Sequence, residues 1–473
     1  MIGNLNLNLT IYILSMQKIY LSLLLFTLTI QQSICQNQSK PNVLVILADD
    51  LGSLDLNCYG SKDLETPNLD KLAKSGVRFT QFYAAAPVCS PSRAALLTGK
   101  SNLGAGLPGN VPIPEGDPEG KAGLPTEEVT MAEYFKEAGY STALVGKWHL
   151  GHHKDKVPNS QGFDYFFGHQ RGCIDNYSHF FFWAGPNKHD LYRNNEEVLY
   201  PGEYFPDLMV DEVSQIITKD ENPFFVYWAI NVPHYPYQAT PKWLEHYKDL
   251  PSPRKEYAAF VSTMDERVGE VLNELEKAGK KDNTIIVFQS DHGHSCEERA
   301  FGGGGNAGPY RGCKFSMFEG GLRVPAIISY PDKLPANEVR DQLCSEMDWL
   351  PTIAELSNIK LTDNKIEGKS LMPIIKSKKA ATQHEIINWQ VGGYDDAKNS
   401  WAVREGDWKL LGHPNDPSTK TKFTEKDELY LVNLKDDIGE QKNVAESNPK
   451  IVAKLKKYHE DWLSKIKSDR NID

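Results

Sequence analysis

Cysteine is scarce. The 473 residues contain seven, at spacings that match no disulfide framework, so the chain does not read as a small scaffold held by bridges. Cys296 and Cys313 flank a glycine-rich loop and are placed for a bridge, but the odd cysteine set weighs against one. An excess of positive charge is also missing: 52 Lys and Arg against 63 Asp and Glu leave a net charge of −11. That argues against a nucleic-acid partner, because phosphate backbones are bound by clustered Lys and Arg. An anionic substrate would have to be met by local cations. Nor is there an apolar run of membrane length. The stretch Ile19 to Ile30 follows Lys18 and is shorter than the ~20 residues a span needs. It reads as a secretory h-region, with Ser33-Ile34-Cys35 allowing cleavage before Gln36 and Met16 as an alternative start. Residues 1–35 are therefore expected to be a signal peptide, and the mature protein to be secreted or periplasmic with no stable membrane anchor.

The length suits one large domain and a smaller one, since single cores stop growing at about 250–300 residues. Continuous apolar runs at 41–48, 140–145, 223–230 and 284–290 read as strands buried on both faces. Helical patterns at 66–76, 89–99, 126–139, 257–278 and 348–356 lie among them, and Val77 to Tyr83 reads as a further strand. From about residue 384 the texture changes to short strands separated by turns, then a helix from Pro449. The expected fold is α/β: a large domain over 36–380 with a mixed, mostly parallel sheet flanked by helices, and a C-terminal subdomain over 381–473 with a short antiparallel sheet and a terminal helix.

Chemistry-bearing residues stand at the ends of those strands, where open α/β sheets bind ligands. Asp49-Asp50 end the first, and adjacent carboxylates in a crevice suit a hard cation. Lys147 and His149 end the second, two apart and able to face one pocket. His234, between Pro233 and Pro236, follows the third and can serve as an acid near neutral pH. Asp291-His292 follow the fourth. Cys89-Ser90-Pro91-Ser92-Arg93 opens a helix that Gly99 can end, with Ser90 or Ser92 as candidate cap and Pro91 suited to the first helical position. Cys89 thus meets the free N–H groups and positive dipole end, with Arg93 one turn on: an oxyanion site beside a nucleophile. Read singly, each residue also has a plain structural account, Cys89 as a small buried thiol and Asp49-Asp50 as a solvated turn.

The string Cys-x-Pro-x-Arg followed by Ala-Ala-Leu-Leu-Thr-Gly closely resembles the activation sequence of the sulfatase family. Asn42 to Gly52, Gly146-Lys147-Trp148-His149-Leu150-Gly151 and Tyr310 to Lys314 are similar to further sulfatase segments, and the resemblance runs from Pro41 to Ala445. It implies an alkaline-phosphatase-like fold and a sulfuric ester hydrolase in which Cys89 is oxidised by a formylglycine-generating maturation enzyme. It further implies Ca2+ held by Asp49, Asp50, Asp291, His292 and the modified Cys89, His292 being a softer ligand than Ca2+ usually takes. Arg93, Lys147 and His149 would orient the nucleophile, Lys147 and Lys314 bind sulfate oxygens, and His234 protonate the departing alcohol.

Residues 152–205 combine aromatic and polar groups as carbohydrate pockets do. Arg171, Asn176, His179 and Trp183 are the candidate substrate contacts. The implied substrate is a sulfated polysaccharide or glycosaminoglycan. Alkaline phosphatase chemistry itself needs further His and Asp ligands for two zinc ions, where this chain offers lysines. A formylglycine-dependent phosphonate or phosphodiester hydrolase, and a non-catalytic sulfated-glycan-binding protein that keeps a Cys89 thiol, are the alternatives.

Overall fold

Strand Asn42–Ala48 runs through the middle of the molecule because both its faces are apolar. Val43, Val45 and Leu47 join one hydrophobic cluster and Leu44, Ile46 and Ala48 the other, all essentially inaccessible to solvent. The computed structural model describes residues 40–181, 187–219, 221–419 and 422–472, so the signal-peptide reading of residues 1–35 lies outside the described residues. Residues 41–473 form one compact unit.

The large sheet has ten strands. Across it lie Glu338–Arg340, Val77–Phe79, Ala326–Ser329, Thr284–Ser290, Asn42–Ala48, Phe224–Ala229, Ser141–Lys147, Tyr165–His169, Tyr192–Arg193 and Glu196–Glu197. The five strands from Thr284–Ser290 to Tyr165–His169 are mutually parallel, while antiparallel pairs flank them. Register is set by apolar burial: Val45 lies beside Tyr227 on one side and Val287 on the other. Helices cover both faces. Phe205–Lys219 and Arg254–Lys277 bury Met209, Val213, Val261 and Val268 against one, and Met131–Glu137 and Trp349–Leu356 bury Phe135, Leu350 and Ile353 against the other.

A second sheet, antiparallel, is built from Ile386–Gln390, Trp401–Glu405, Trp408–Gly412 and Leu429–Asn433 in that order. Helix Pro449–Arg470 packs on it, His459 stacking on Trp401 with ring centres 4.2 Å apart. Among the described residues, no helix is long and apolar enough to cross a membrane.

Several local expectations are corrected. The helix placed at 126–139 begins at Met131, because Thr130 and Glu133 form a reciprocal capping box that Thr126 cannot. Residues 77–83 form two short strands in different sheets, Val77–Phe79 and Phe82–Tyr83. Cys296 and Cys313 are joined in a disulfide, against the expectation from cysteine count. Helix Phe205–Lys219 and strand Tyr165–His169 have no counterpart in the sequence reading.

Candidate active site

Parallel strands end on the same side, and here their ends converge. Asp49 and Asp50 follow Ala48, Lys147 closes Ser141–Lys147, Asn231 to His234 follow Phe224–Ala229, and Asp291-His292 follow Ser290. Two residues turn sharply to reach the centre: Asp50 and His149 have φ of 67° and 56°, a left-handed conformation that Asp tolerates better than most residues. The Asp50 N–H donates to Asp291 Oδ1 at 3.1 Å and so ties the two strand ends together.

Helix Cys89–Thr98 points its N-terminus into this convergence, and Gly99, at φ 67°, ends it. Val88, not a serine, occupies the cap position, and Pro91 is the third helical residue, still within the first turn where no N–H is missed. The serines are used elsewhere. Ser90 Oγ accepts from Val111 N–H at 3.1 Å. Ser92 Oγ lies 2.6 Å from Asp291 O and 2.9 Å from Glu346 Oε2. One hydroxyl cannot donate to both. Burial pushes the Glu346 carboxyl up to about 8.

The expected catalytic and metal residues are gathered around Cys89, and four of them, Cys89, His149, His234 and Lys314, line a cavity of about 310 Å³. Lys147 Nζ is 2.7 Å from Asp49 Oδ2, and Lys314 Nζ is 2.9 Å from Asp50 Oδ1. Arg93 bridges Asp291 Oδ2 at 2.9 Å and Asp49 Oδ1 at 3.4 Å while donating to the Lys147 carbonyl. His292 Nε2 is 3.3 Å from Cys89 Sγ. Burial pushes the Cys89 thiol up, but Lys147, Lys314 and His292 outweigh it and hold the pKa well below the usual thiol value. Burial likewise raises Asp49, yet Lys147, His234, Arg93 and Lys314 bring it well below the carboxylate range. Asp50, for which burial wins, is pushed up to about 7. At Cys89 and Asp49, beside the cations, negative charge is therefore favoured despite complete burial, while burial raises Asp50 and Asp291.

Asp49, Asp50, Cys89 and His292 each place one ligand atom within 4.8 Å of the others. Two carboxylates beside a third from Asp291 fit a hard divalent cation, with the His292 nitrogen the one softer donor. His234 Nδ1–H donates to the Tyr235 carbonyl at 2.7 Å, which leaves Nε2 as acceptor 3.3 Å from Lys314 Nζ. Burial and Lys314 hold its pKa well below the usual imidazole value.

Of the three candidate substrate contacts among the described residues, only Arg171 lines the cavity. Asn176 and His179 are buried away from it. Asn176 joins Gln238 and Asn231 at 3.1 and 2.9 Å, and His179 Nε2 donates to the Glu203 carbonyl. Trp183 lies outside the described residues. The lining adds Asn110, His152, Gln170, Cys173, Tyr235, Arg299 and Phe315. Gln170 is one residue past the strand whose His169 pairs in register with Lys147, a placement that only the fold reveals.

The sulfatase family model matches residues 41–359, and a model of the C-terminal region of N-sulphoglucosamine sulphohydrolase matches 312–467. Arylsulfatase J of Mus musculus is 34% identical over 379 residues, 78% of this chain and 62% of that protein. N-acetylgalactosamine-6-sulfatase of Canis lupus familiaris is 37% identical over 357 residues, 70% of this chain and 65% of that protein. The chain thus covers somewhat under two thirds of the length of each. Among solved structures, Ps i-CgsB in complex with k-i-k-neocarrahexaose superimposes with a TM-score of 0.79 at 30% identity, covering 90% of this chain and 93% of that one. With its fold, its converging strand ends and the match over 41–359 in agreement, the chain belongs to the sulfatase family.

Proposed function

We propose that the chain hydrolyses sulfate esters of a glycan, a sulfated polysaccharide or glycosaminoglycan, after export from the cytoplasm. The observation that carries this reading is the set of three buried cations, Arg93, Lys147 and Lys314, gathered with three buried aspartates around Cys89 at the floor of one cavity. A relative solved with a neocarrahexaose and another named for N-acetylgalactosamine 6-sulfate support a carbohydrate substrate.

Cys89, once converted to formylglycine, would supply a hydroxyl nucleophile for sulfur, and Ca2+ on Asp49, Asp50, Asp291 and His292 would supply a Lewis acid. The chain's own side chains do the rest. Lys147 and Lys314, both buried, neutralise the sulfate oxygens as fixed charges that act without reorganising. Arg93, held by Asp291 and the Lys147 carbonyl, orients the residue at position 89. His149, its Nδ1 buried without a hydrogen-bond partner and its pKa lowered by burial, is available as a base. The departing alcohol takes its proton from Lys314 Nζ, which His234 Nε2 holds in place as hydrogen-bond acceptor.

Peptide mass spectrometry on protein from its own host, beside sulfate release from sulfated glycans, tests this. The expected result is a loss of about 18 Da at Cys89 together with free sulfate. An intact thiol in active protein would sink the formylglycine mechanism, and phosphodiester turnover without sulfate release would replace the substrate class.

A further inference from the structure

We infer that the cavity is built for a substrate carrying a second anionic group beside the scissile sulfate, and that Arg171 binds it. The inference rests on the sulfatase reading for the identity of the first anion. In a chain of net charge −11, the cavity lining contains no Asp or Glu among the described residues; its fixed charges are Arg171, Arg299 and Lys314. Two of the three are already compensated. Lys314 is paired with Asp50, and Arg299 with Glu297.

Arg171 is different. Its guanidinium lies over the Phe181 ring, 5.3 Å from the centroid, and makes no ion pair with a described residue. Two acids act on it from a distance, and both are engaged. Asp190 accepts the backbone N–H groups of Gln170 and Arg171, and Glu115 is ion-paired with Lys188. A half-buried guanidinium over an aromatic ring, with no ion pair among the described residues, is a planar fork held ready for sulfate or carboxylate oxygens.

Its position puts it beside the reacting centre. Strand Tyr165–His169 pairs in parallel with Ser141–Lys147, Lys147 facing His169 in register. The His149 N–H then donates to the Gln170 carbonyl at 3.2 Å. At Gly172 the backbone passes so close to the His149 ring that a Cβ there would stand 3.1 Å from Cε1. Arg171 is thus bracketed by two residues that touch His149. The second anion would lie on the same sugar as the scissile sulfate or on its neighbour, with the Phe181 face available to the sugar's C–H surface.

Both a second sulfate and a uronate carboxylate have this chemistry, and binding distinguishes them. Calorimetry on the Cys89→Ser protein would compare a monosulfated neutral disaccharide, a disulfated one, and a monosulfated one containing a uronate. At least one doubly anionic disaccharide is expected to bind about tenfold or more tighter than the neutral one. In the same background Arg171→Gln should bring that ratio close to one, and Arg171→Lys, which keeps the charge and loses the fork, should fall between. The tighter of the two doubly anionic ligands names the group. Equal affinity for all three, no binding of any, or a preference that survives Arg171→Gln overturns the inference. Sulfate release by the wild-type protein is read separately, so failure of the sulfatase reading would show there.

Discussion

Two clusters of fully buried charge can be compared in this molecule. One is the group around Cys89. The other lies against the four-stranded sheet, where Lys409 Nζ, on strand Trp408–Gly412, sits 2.9 Å from Glu319 Oε1 and 3.1 Å from Glu440 Oε1. There the Tyr83 hydroxyl donates to Glu319 Oε2, the Glu319 N–H donates to Glu440 Oε2, and Arg323 stands 3.3 Å away. Both clusters hold acids whose ionisation is strongly displaced. The first opens on the cavity through Cys89, His149, His234 and Lys314, and among the described residues none of the second cluster's members lines it. Displaced titration therefore does not mark a site by itself; access does.

The sharpest way to test the contrast is to remove the central cation of the closed cluster. Lys409→Met leaves two buried carboxylates without their shared partner and should cost about 3–5 kcal/mol of stability, read from urea unfolding. A variant as stable as the parent would mean that the cluster holds nothing together. Next comes Lys314→Ala in the open cluster. It should lower kcat/KM for sulfate release by about 10²–10³ while shifting the unfolding midpoint less than Lys409→Met does. The reverse pattern, full activity in a weakened fold, would erase the distinction.

The smallest effect concerns pH. Burial, opposed by Lys409, pushes Glu440 up to about 7 from an ordinary 4.5. Between those values the folded protein keeps a proton that the unfolded chain has released. This group's contribution to stability is therefore present below about 4.5 and is lost as pH rises through about 7. In Glu440→Gln that part of the slope should vanish, so denaturation midpoints at about pH 5 and about pH 8 should lie closer together than in the parent. Parallel profiles would show that Glu440 does not titrate there.

The strands that carry the site were legible because a strand covered on both faces must be apolar throughout, as Asn42–Ala48 and Thr284–Ser290 are. The residues at their ends were legible for the same topological reason. The aromatic insert was not. Its composition marks a pocket, but which polar group faces the cavity depends on turns that pair Asn176 with Gln238 and aim Arg171 the other way. Helix Phe205–Lys219 carried a usable signal in the spacing of Phe205, Leu208, Met209, Val213 and Ile217, in which a helix's three-and-four step is plain. The disulfide escaped because pairing depends on the path of the loop between Cys296 and Cys313, on which composition is silent.

Cys89 is 2% exposed, and the groups pressed against it come from positions as far along the chain as His292 and Lys314. A protein large enough to modify a side chain could not reach this sulfur through a cavity of about 310 Å³. If Cys89 is converted, the order of events follows: the maturation enzyme must meet a chain still extended, before strand Thr284–Ser290 takes its place beside Asn42–Ala48. Chemical competence would then be settled during biosynthesis, and a molecule that folded first would remain a thiol protein, without the hydroxyl nucleophile that formylglycine supplies.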